Sequence, residues 1–483
     1  MASEIKAALP ATCTIQTPDH SAKPQEIIPS RWSDVLLSNP YAAVTPTSIS
    51  DIISTIEYAR AHKLKLIPSG GGRSSFVPIT KDVIYLDLKH FDTFKLDEEN
   101  REVKIGGGCI SGPLIKGLAK QGYYTAVPNS NGVGMTGALL GGLNHPFIGF
   151  HGMGVDMIKS ITVIPFSSPA GGAIEPLTLT KDSTGEQKKL FDTLKGAGHG
   201  LGIITEVILD AYPIANLSLD DTDKVWQRTL VFPPPALSTA IETYLTLKRD
   251  VPKEMNYFLG FMRAPPNAPR PGAPVIILSI SYFGLAAAAE RAAAVTFDAQ
   301  VLEKSVNAST SLTPLGDLNN ILDPVNKAGG FKELHGAFVR DISESSLSRA
   351  FESFIAYTDG KPERFGSSII FPVANTVKSE SFAGEGSFYN ARDRGVYVQV
   401  KTSYPSAEGK EDGDAFARDV HGLGREADQK EGRREWTFAN NMVKGTNLED
   451  VYTKEQLEDI VRVNNLWNAS KVGWSPVVDK WSW

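Results

Sequence analysis

Hydrophobic and polar positions alternate from residue 41 onward in a pattern that predicts a mixed helix-and-strand protein. Segment 48–62 places Ile52 and Ile56 on one helix face, with Ser48 as the N-terminal cap. A second helix is predicted over 113–121, where Gly122 ends it. Short apolar or alternating runs predict strands over 41–44, 64–68, 83–88, 94–96, 102–105, 158–164 and 202–209.

The character of the chain changes after Tyr212, and the following region predicts a second domain. Its strands are predicted over 255–262, 275–283, 367–373 and 395–403. Helices are predicted over the alanine-rich segment 285–302 and over 347–357, and the charge-dense segment 408–434 predicts a solvated helix and loop.

These changes divide the chain into four parts. Residues 1–37 are polar and aperiodic, which predicts an extended N-terminal arm ahead of a first domain over 38–212 and a second over 213–435. Residues 436–483 turn aromatic and apolar again, so this C-terminal segment is expected to pack against the rest, with Trp481 and Trp483 as packing residues.

Composition and charge exclude several classes of function. The 483 residues are 41% hydrophobic, which excludes a mainly disordered chain. There are 49 basic and 55 acidic residues, a net charge of −6, so no basic footprint for nucleic acid is present. The N-terminus lacks the apolar core of a signal peptide, and the most hydrophobic stretch, 275–289, is too short to span a bilayer. We therefore expect a cytoplasmic protein with no membrane partner, in which Cys13 and Cys109 are free thiols.

Glycine is concentrated in segments 70–74, 132–142 and 196–202. Residues 132–137 spell G-x-G-x-x-G, but no apolar strand precedes them, which argues against a Rossmann dinucleotide site. Any one segment could be an ordinary turn. Three together favour backbone amides that converge on a large, extended anionic ligand, because glycine lets the backbone approach a ligand closely.

Several segments of the chain, including the glycine-rich ones, resemble those of a known protein family. Pro68-Ser-Gly-Gly-Gly-Arg-Ser74, Asn131-Gly-Val-Gly-Met-Thr-Gly137 and Lys195-Gly-Ala-Gly-His-Gly-Leu-Gly-Ile-Ile-Thr205 are similar to segments of the FAD-binding PCMH-type superfamily of vanillyl-alcohol oxidase and p-cresol methylhydroxylase. Within it, the chain resembles the berberine-bridge-enzyme-like oxidases of fungi and plants. The resemblance implies an α+β fold: a two-part FAD-binding domain over 38–212 and 436–483, and a substrate domain with a large antiparallel sheet backed by helices.

The resemblance also implies which residues hold FAD. They come from the three glycine-rich segments, together with a proline that precedes the second one: Ser69, Gly70, Gly71, Gly72, Arg73, Ser74, Pro128, Gly132, Val133, Gly134, Gly137, Gly141, Gly142, Gly202, Ile203 and Ile204.

The chain departs from the family at four of the positions it would be expected to share. Many relatives tether FAD through a histidine where this chain has Arg73, and through a cysteine where it has Val127. Neither side chain offers the nucleophile that such a bond requires, so we expect non-covalent FAD. Leu143 replaces a glycine, and Asn441 stands where relatives that oxidise sugars or alcohols carry a tyrosine base; an amide cannot take that proton at neutral pH.

Candidate catalytic residues follow from the same resemblance. Tyr397, Gln399 and Lys401 share one face of a strand in the substrate domain, where they either face the flavin or are ordinary solvent-facing polar residues. Tyr389 and Arg392 are weaker candidates, and Asp156 is expected to hold a backbone turn. The spacing of His145, His151 and His199 fits no metal motif, which favours loop histidines; His145 and His151 remain possible acid–base groups.

Three functional hypotheses remain open at this stage. The first is an FAD-dependent oxidoreductase that passes a hydride from a small natural product to FAD, with O₂ as the final acceptor. The second keeps the fold but acts as a non-redox cyclase or pericyclase through proximity and orientation. The third is a catalytically inactive flavin-fold protein that only binds a small molecule.

Overall fold

The computed structural model describes residues 2–19, 21–169, 171–220 and 223–479, so Trp481 and Trp483 lie outside the described residues. The helices, numbered in chain order, are α1 Ala2–Ala8, α2 Pro24–Ile27, α3 Ile49–Ala61, α4 Ser111–Ala119, α5 Met135–Leu139, α6 Ile148–His151, α7 Gly185–Ala197, α8 Leu237–Lys248, α9 Ala286–Ala292, α10 Ala299–Lys304, α11 Glu344–Thr358, α12 Val377–Glu380, α13 Lys410–Lys430, α14 Lys454–Trp467 and α15 Pro476–Asp479.

Two sheets form the core of the first domain. One has the order β1-β2-β4-β3, with β2 and β3 parallel to β4; its strands are β1 Thr14–Gln16, β2 Ala42–Thr45, β3 Lys65–Ser69 and β4 Val83–Asp87. The other is antiparallel with the order β5-β6-β10-β8-β9; its strands are β5 Phe94–Asp97, β6 Glu102–Gly106, β8 Ile158–Pro165, β9 Leu177–Thr180 and β10 Gly202–Asp210. A short pair, β7 Tyr123–Tyr124 and β11 Tyr212–Pro213, closes the domain.

The second domain is built on one antiparallel sheet with the order β15-β12-β14-β13-β17-β18-β16-β19. Its strands are β12 Lys224–Phe232, β13 Met255–Arg263, β14 Pro274–Tyr282, β15 Asn307–Pro314, β16 Phe331–Val339, β17 Ser368–Val373, β18 Val396–Tyr404 and β19 Trp436–Thr437. Side chains of α8, α11 and α13 pack on one face of this sheet in a single buried cluster. The other face turns toward the first domain. The predicted α+β fold is confirmed.

The local signals for α3 are confirmed in detail. Ser48 Oγ accepts from the Asp51 amide at 3.1 Å, and the Asp51 carboxylate accepts from the Ser48 amide at 3.2 Å. This reciprocal capping box satisfies amides that the first helical turn leaves without partners. Losing such a cap typically costs about 1 kcal/mol.

The N-terminal segment is more ordered than the predicted extended arm. It contains α1, β1 and α2, and β1 pairs with β2 at the edge of the parallel sheet. Ile5, Trp32 and Val35 are buried. Ile5 packs in the core beside the parallel sheet. The isolated positions of these three residues carry no periodicity, so the sequence pattern did not reveal that they are buried.

Two helix predictions in the second domain need correction. The segment 285–302 is not one helix, because the Thr296 hydroxyl donates to the Ala293 carbonyl at 2.7 Å and Asp298 caps α10 through the Gln300 amide at 2.8 Å. A 3₁₀ turn at Ala294–Phe297 therefore separates α9 from α10. The charge-dense segment forms α13, which buries Phe416, Val420 and Leu423 against the sheet and is amphipathic, not fully solvated. No described helix combines the length and the hydrophobicity needed to cross a bilayer.

Candidate active site

A cavity of about 1460 Å³ lies between the two domains. Its walls come from the loop after β3, the glycine-rich segment that leads into α5, and the free face of the eight-stranded sheet. Residues of the C-terminal segment complete it, among them Phe438, Asn441 and Trp474. The cavity therefore joins the predicted cofactor loops to the predicted substrate strand.

The loop after β3, residues 70–75, presents a run of backbone amides and is called the amide cradle below. The amides of residues 70–75 donate to no acceptor among the described residues, and the buried Ser74 hydroxyl also has no partner. Hydrogen bonds from the Trp32 amide to the Gly72 carbonyl at 3.0 Å and from Tyr85 Oη to Ser69 Oγ at 2.6 Å hold the loop in place. Buried donors without partners are costly, and a phosphate group is the kind of ligand that such a run of amides binds. The loop therefore fits the diphosphate of FAD.

The glycines of this cradle are required by close backbone packing. A Cβ atom on Gly71 would collide with the amide nitrogen of Gly134, so the two loops touch through their main chains. Gly134 also precedes the first turn of α5, at the point where G-x-G-x-x-G begins a helix. The strand before that motif is only the two-residue β7, which confirms that this is not a Rossmann unit.

Most of the predicted cofactor residues line the cavity. These are Ser69, Gly70, Gly71, Gly72, Arg73, Ser74, Pro128, Val133, Gly134, Gly137 and Gly202. The other five lie behind the cavity wall. The Gly132 carbonyl accepts a hydrogen bond from Arg73, and the side chains of Ile203 and Ile204 lie in hydrophobic cores. Gly141 packs on Asn440, and Gly142 packs on Tyr389. The family pattern located the loops correctly but could not tell wall residues from those that support them.

The two positions where relatives carry flavin tethers have other roles here. Arg73 donates from Nε to the Gly132 carbonyl at 3.0 Å and from Nη1 to the Asn326 carbonyl at 2.7 Å. It thereby ties the cradle to the second domain. Val127 is buried at 1% exposure in the core of the first domain.

The predicted substrate strand is β18, and its alternation is confirmed. Tyr397, Gln399 and Lys401 line the cavity, whereas Val398 and Val400 point into the helix-side core. The three polar side chains therefore do not face bulk solvent on an outer surface. No other described residue hydrogen-bonds the Gln399 side chain, which leaves its amide available within the cavity.

Tyr397 is held by its neighbours. Its hydroxyl donates to Asn441 Oδ1 at 2.5 Å, and its ring stacks on Phe338 with 4.7 Å between ring centroids. Gly336 lies against the hydroxyl, where no larger residue would fit. Burial raises the pKa of Tyr397 well above its ordinary value, so the phenol stays protonated and is a hydrogen-bond donor, not a base.

His145, which was considered as an acid–base group, lines the cavity, but both of its ring nitrogens contact the backbone. Its Nε2 lies 2.9 Å from the Gly152 carbonyl, and its Nδ1 accepts from the Phe147 amide at 3.2 Å. Both ring nitrogens are therefore used by the backbone. Burial lowers the pKa of His145 to about 3, which keeps the ring neutral.

The other two loop histidines occupy different places. His151 lies outside the cavity wall, where it stacks on Tyr212 at 3.8 Å between ring centroids and bonds Tyr124 Oη at 3.0 Å. His199 lines the cavity and forms a T-shaped contact with Phe76, and its buried Nδ1 has no hydrogen-bond partner among the described residues. Burial lowers the pKa of His199 to about 4, so it faces the cavity as a neutral ring.

Asp156 has the predicted backbone role and a second one. Its carboxylate accepts from the Met153 amide at 2.8 Å and also binds both Nη atoms of Arg392, each at 2.8 Å. Asp156 and the Arg392 side chain are both buried. This bidentate pair fixes the loop that carries Tyr389 and Arg392 against the first domain.

Arg31 and Trp32 are among the cavity residues that sequence reasoning missed. Arg31 and Trp32 reach the wall from the N-terminal segment, and Arg31 Nη2 donates to the Val77 carbonyl at 2.6 Å. The only sequence signal was an Arg-Trp pair within an otherwise polar segment. That signal is too weak to place either residue in a site.

One cluster of described residues has the composition of a metal site: Glu333, His335 and Asp414, on the helix side of the sheet. Lys410 Nζ lies 2.8 Å from Glu333 Oε2 and 3.0 Å from Asp414 Oδ2. The single ammonium group thus pairs with both carboxylates, and the cluster is a partly buried ion-pair network on the side of the sheet opposite the cavity.

Comparisons with known proteins agree with this geometry. A family model described as an FAD binding domain matches residues 40–165. FAD-linked oxidoreductase hasG of Aspergillus fumigatus is 26% identical over 344 residues, which is 69% of this chain and 67% of that protein. (R)-6-hydroxynicotine oxidase of Paenarthrobacter nicotinovorans is 28% identical over 223 residues, 44% of each chain. Among solved structures, BBE-like 1 of Physcomitrella patens shares the fold with a TM-score of 0.78 and 16% identity, covering 99% of this chain and 98% of that one.

The matched residues, 40–165, lie in the first domain, which contains the amide cradle, and the fold is shared along nearly the whole chain. The relatives named FAD-linked oxidoreductases extend the likeness beyond that domain. The chain therefore contains an FAD binding domain and is an FAD-dependent oxidoreductase, similar in sequence to the FAD-linked oxidoreductases and sharing its fold with the BBE-like protein of Physcomitrella patens.

Proposed function

We propose that the protein oxidises a medium-sized natural product with non-covalently bound FAD, and that O₂ reoxidises the reduced cofactor. One observation carries this proposal: a single cavity joins the amide cradle of residues 70–75 to the side chains of Tyr397 and Gln399. When bound, FAD supplies the hydride acceptor. The substrate would lie between the cofactor and the free face of the sheet.

The protein residues of this site bind and orient. Tyr397 has its proton committed to Asn441, and the nitrogens of His145 are committed to the backbone, so neither is a general base. Gln399 offers an amide donor and acceptor that can fix the orientation of a polar substituent. A site with these residues favours a substrate whose oxidation needs no strong protein base.

Non-covalent binding rests on Arg73 and Val127, neither of which offers a nucleophile at the tethering positions. Acid precipitation of the purified yellow protein should release all flavin into the supernatant as intact FAD. Flavin that stays with the pellet would show a covalent bond and contradict this part of the proposal.

The oxidase reaction can be tested before a substrate is known. Flavin in the holoprotein is reduced with dithionite under anaerobic conditions, and its absorption is followed after O₂ is admitted. We expect full reoxidation within seconds; flavin that stays reduced would exclude O₂ as the acceptor.

A panel of aromatic alcohols, secondary amines and polycyclic phenols then tests turnover. Bleaching of the flavin by one of these compounds without O₂ supports oxidation. Product of unchanged mass without bleaching would instead support the cyclase hypothesis, which the names of the relatives do not favour.

A further inference from the structure

Arg31 reaches the cavity from the N-terminal segment, and main-chain hydrogen bonds fix its position. Its amide donates to the Ile28 carbonyl at 3.3 Å, and its carbonyl accepts from the Gly329 amide at 2.9 Å. The amide of the next residue, Trp32, donates to the Gly72 carbonyl of the amide cradle. The backbone therefore holds this segment between the cradle and the second domain, and its placement does not depend on the Arg31 side chain.

The guanidinium group of Arg31 is buried with few acceptors. The residue is 3% exposed, and its Nη2 donates to the Val77 carbonyl at 2.6 Å. Its Nε is buried with no hydrogen-bond partner, and no carboxylate of the described residues forms an ion pair with it. A guanidinium group carries five N–H donors, so most of its hydrogen-bonding capacity is not used by the described part of the chain. Burial of a charge in this way is unfavourable unless a partner is supplied.

The nearest charged and titratable groups do not balance this positive charge. The Asp34 carboxylate accepts from the Gly330 amide at 2.8 Å instead of pairing with Arg31. Tyr85 Oη donates to Ser69 Oγ, and burial raises the pKa of Tyr85, so this phenol is neutral. Burial lowers the pKa of Arg31, and the proximity of Tyr85 and Asp34 offsets only part of this effect.

A second buried arginine shows how the fold treats a guanidinium group that has only a structural role. Arg228 is 5% exposed and is not among the described residues of the cavity wall. Its Nε and Nη2 donate to the Thr296 hydroxyl at 3.2 Å and the Thr296 carbonyl at 2.8 Å, and its Nη1 donates to the Thr310 hydroxyl at 2.9 Å. All three nitrogens of Arg228 thus have acceptors, whereas Arg31 lacks an acceptor at its buried Nε.

The unused donors of Arg31 lie at the same loop as those of the cradle. Val77, which accepts from Arg31, follows the cradle closely in the chain, and Arg31, Ser74 and Val77 all line the cavity. The Ser74 hydroxyl is likewise buried with no partner among the described residues. A buried cation beside a run of unpaired amides and a hydroxyl is suited to an anion that carries several oxygen acceptors.

We propose that Arg31 binds a phosphate group of FAD together with the amide cradle and Ser74. This inference rests on the non-covalent FAD of the proposed function and adds a side chain of the N-terminal segment to the residues that bind the cofactor. A phosphate would supply the negative charge and the acceptors that the described residues withhold from this guanidinium group.

The variant Arg31→Met tests the inference through two quantities that should respond differently. Its affinity for FAD should fall by about tenfold or more, because a charge-assisted hydrogen bond to phosphate is lost. The midpoint of urea unfolding of its apoprotein should stay unchanged or rise, because a buried charge without a counter-charge is removed. Titration of the apoprotein with FAD, followed by flavin fluorescence, gives the Kd.

The matched control is Arg228→Met, which removes a buried arginine whose nitrogens all have acceptors. Its apoprotein should unfold at a lower urea concentration, and its Kd for FAD should stay within about twofold of the wild-type value. Arg31→Gln keeps a donor for the Val77 carbonyl but no charge. It should weaken FAD binding as Arg31→Met does, and it replaces that variant if the methionine protein does not fold.

Two results would overturn the inference. One is wild-type affinity for FAD in an Arg31 variant. The other is an Arg31→Met apoprotein destabilised as much as the Arg228→Met apoprotein, which would show that Arg31 has only a structural role. A wild-type protein whose reduced flavin does not react with O₂ contradicts the proposed function and leaves FAD binding by Arg31 intact. An O₂-reactive wild-type protein whose FAD affinity does not depend on Arg31 contradicts only the assignment of Arg31.

Discussion

Arg73 occupies the position at which many relatives attach their flavin, and its guanidinium group does two things that a histidine tether does not. It places positive charge beside the amide cradle, and it bonds the carbonyls of Gly132 and Asn326. Charge of this sign next to a diphosphate raises affinity without a covalent bond. Under the proposed function, Arg73 would be a non-covalent replacement for the tether.

Charge reversal at this position tests that role. Arg73→Glu should weaken FAD binding at least tenfold, equivalent to about 1.4 kcal/mol, because a carboxylate would face the diphosphate. The apoprotein is titrated with FAD, and quenching of flavin fluorescence gives the Kd. Arg73→Lys keeps the charge and should stay within a few-fold of the wild type; unchanged affinity in the glutamate variant would remove Arg73 from the site.

Ser74 gives a second test at the level of single residues. Its hydroxyl is buried with no partner among the described residues, so it is expected to donate to the cofactor. Ser74→Ala should weaken FAD binding by about 1 kcal/mol and leave apoprotein stability unchanged or slightly higher, since an unpaired buried hydroxyl is lost.

The matched control for Ser74 is Ser33→Ala, because the Ser33 hydroxyl already bonds the Lys332 carbonyl at 2.5 Å. That variant should lose apoprotein stability and keep its intrinsic affinity for FAD. Urea unfolding of both apoproteins, with FAD titrations, separates the two cases. A Ser74 variant that unfolds more readily yet binds FAD normally would contradict the assignment.

At the scale of elements, helix α13 has residues packed on the sheet and residues exposed to solvent. Phe416, Val420 and Leu423 pack on the sheet that presents the site on its other face. Gly422 faces solvent, and a Cβ there would meet nothing within 4 Å. Two residues further on, a Cβ on Gly424 would lie 2.9 Å from Cγ2 of the buried Val398.

Two alanine substitutions should therefore have opposite effects. Gly422→Ala should raise the free energy of unfolding by about 0.5–1 kcal/mol, because alanine loses less backbone entropy than glycine in a helix. Gly424→Ala should lower it by roughly 1–3 kcal/mol, since the added methyl overpacks the core behind β18. Urea denaturation of the two holoproteins gives both values. If the free energy of unfolding changed in the same direction in both variants, packing against Val398 would not determine the effect of the Gly424 substitution.

The sequence predicted elements well where the signal is local. The cap at Ser48 and the alternation of β18 depend on residues close together in the chain, and both are confirmed. The glycine-rich loops are equally local signals, and they meet at the cavity wall. Strands β12, β15, β16 and β19 of the second domain were missed; β15 is a polar, exposed strand that pairs with β12 at the edge of the sheet. A strand defined by a distant partner leaves little trace in its own sequence.

For a related reason, the complete set of residues that line the site could not be predicted from the sequence. The resemblance identified the loops and the strand, but the cavity depends on contacts between distant parts of the chain. Arg73 bonds residue 326, Asp156 pairs with Arg392, and Arg31 arrives from a segment without periodicity. Side chains with no pattern of their own can be located only once the two domains are packed together.

The stability of the whole molecule should respond to acid through its buried histidines. Burial lowers the pKa of His145 to about 3, that of His199 to about 4 and that of His335 well below its ordinary value of 6.5. An unfolded chain binds protons at these rings near pH 6.5, whereas the folded chain does not until the pH is much lower. The stabilisation that these neutral rings contribute is therefore fully present above about pH 6.5. Below that pH the free energy of unfolding decreases, by up to about 1.4 kcal/mol per pH unit for each such histidine.

His145 isolates one of these contributions because its ring is almost fully buried, at 1% exposure. His145→Gln should make the pH dependence shallower between pH 5.5 and 4.5 by about 1.4 kcal/mol per pH unit, even if its absolute stability is lower. His90→Gln, at an exposed histidine, should leave the slope unchanged. Urea unfolding of FAD-saturated protein across this range measures the slopes. Only the slope reports proton binding. An unaltered slope in the His145 variant would therefore mean that the folded wild-type protein binds a proton at this ring, and it would contradict the assignment of His145 as a neutral ring in the cavity.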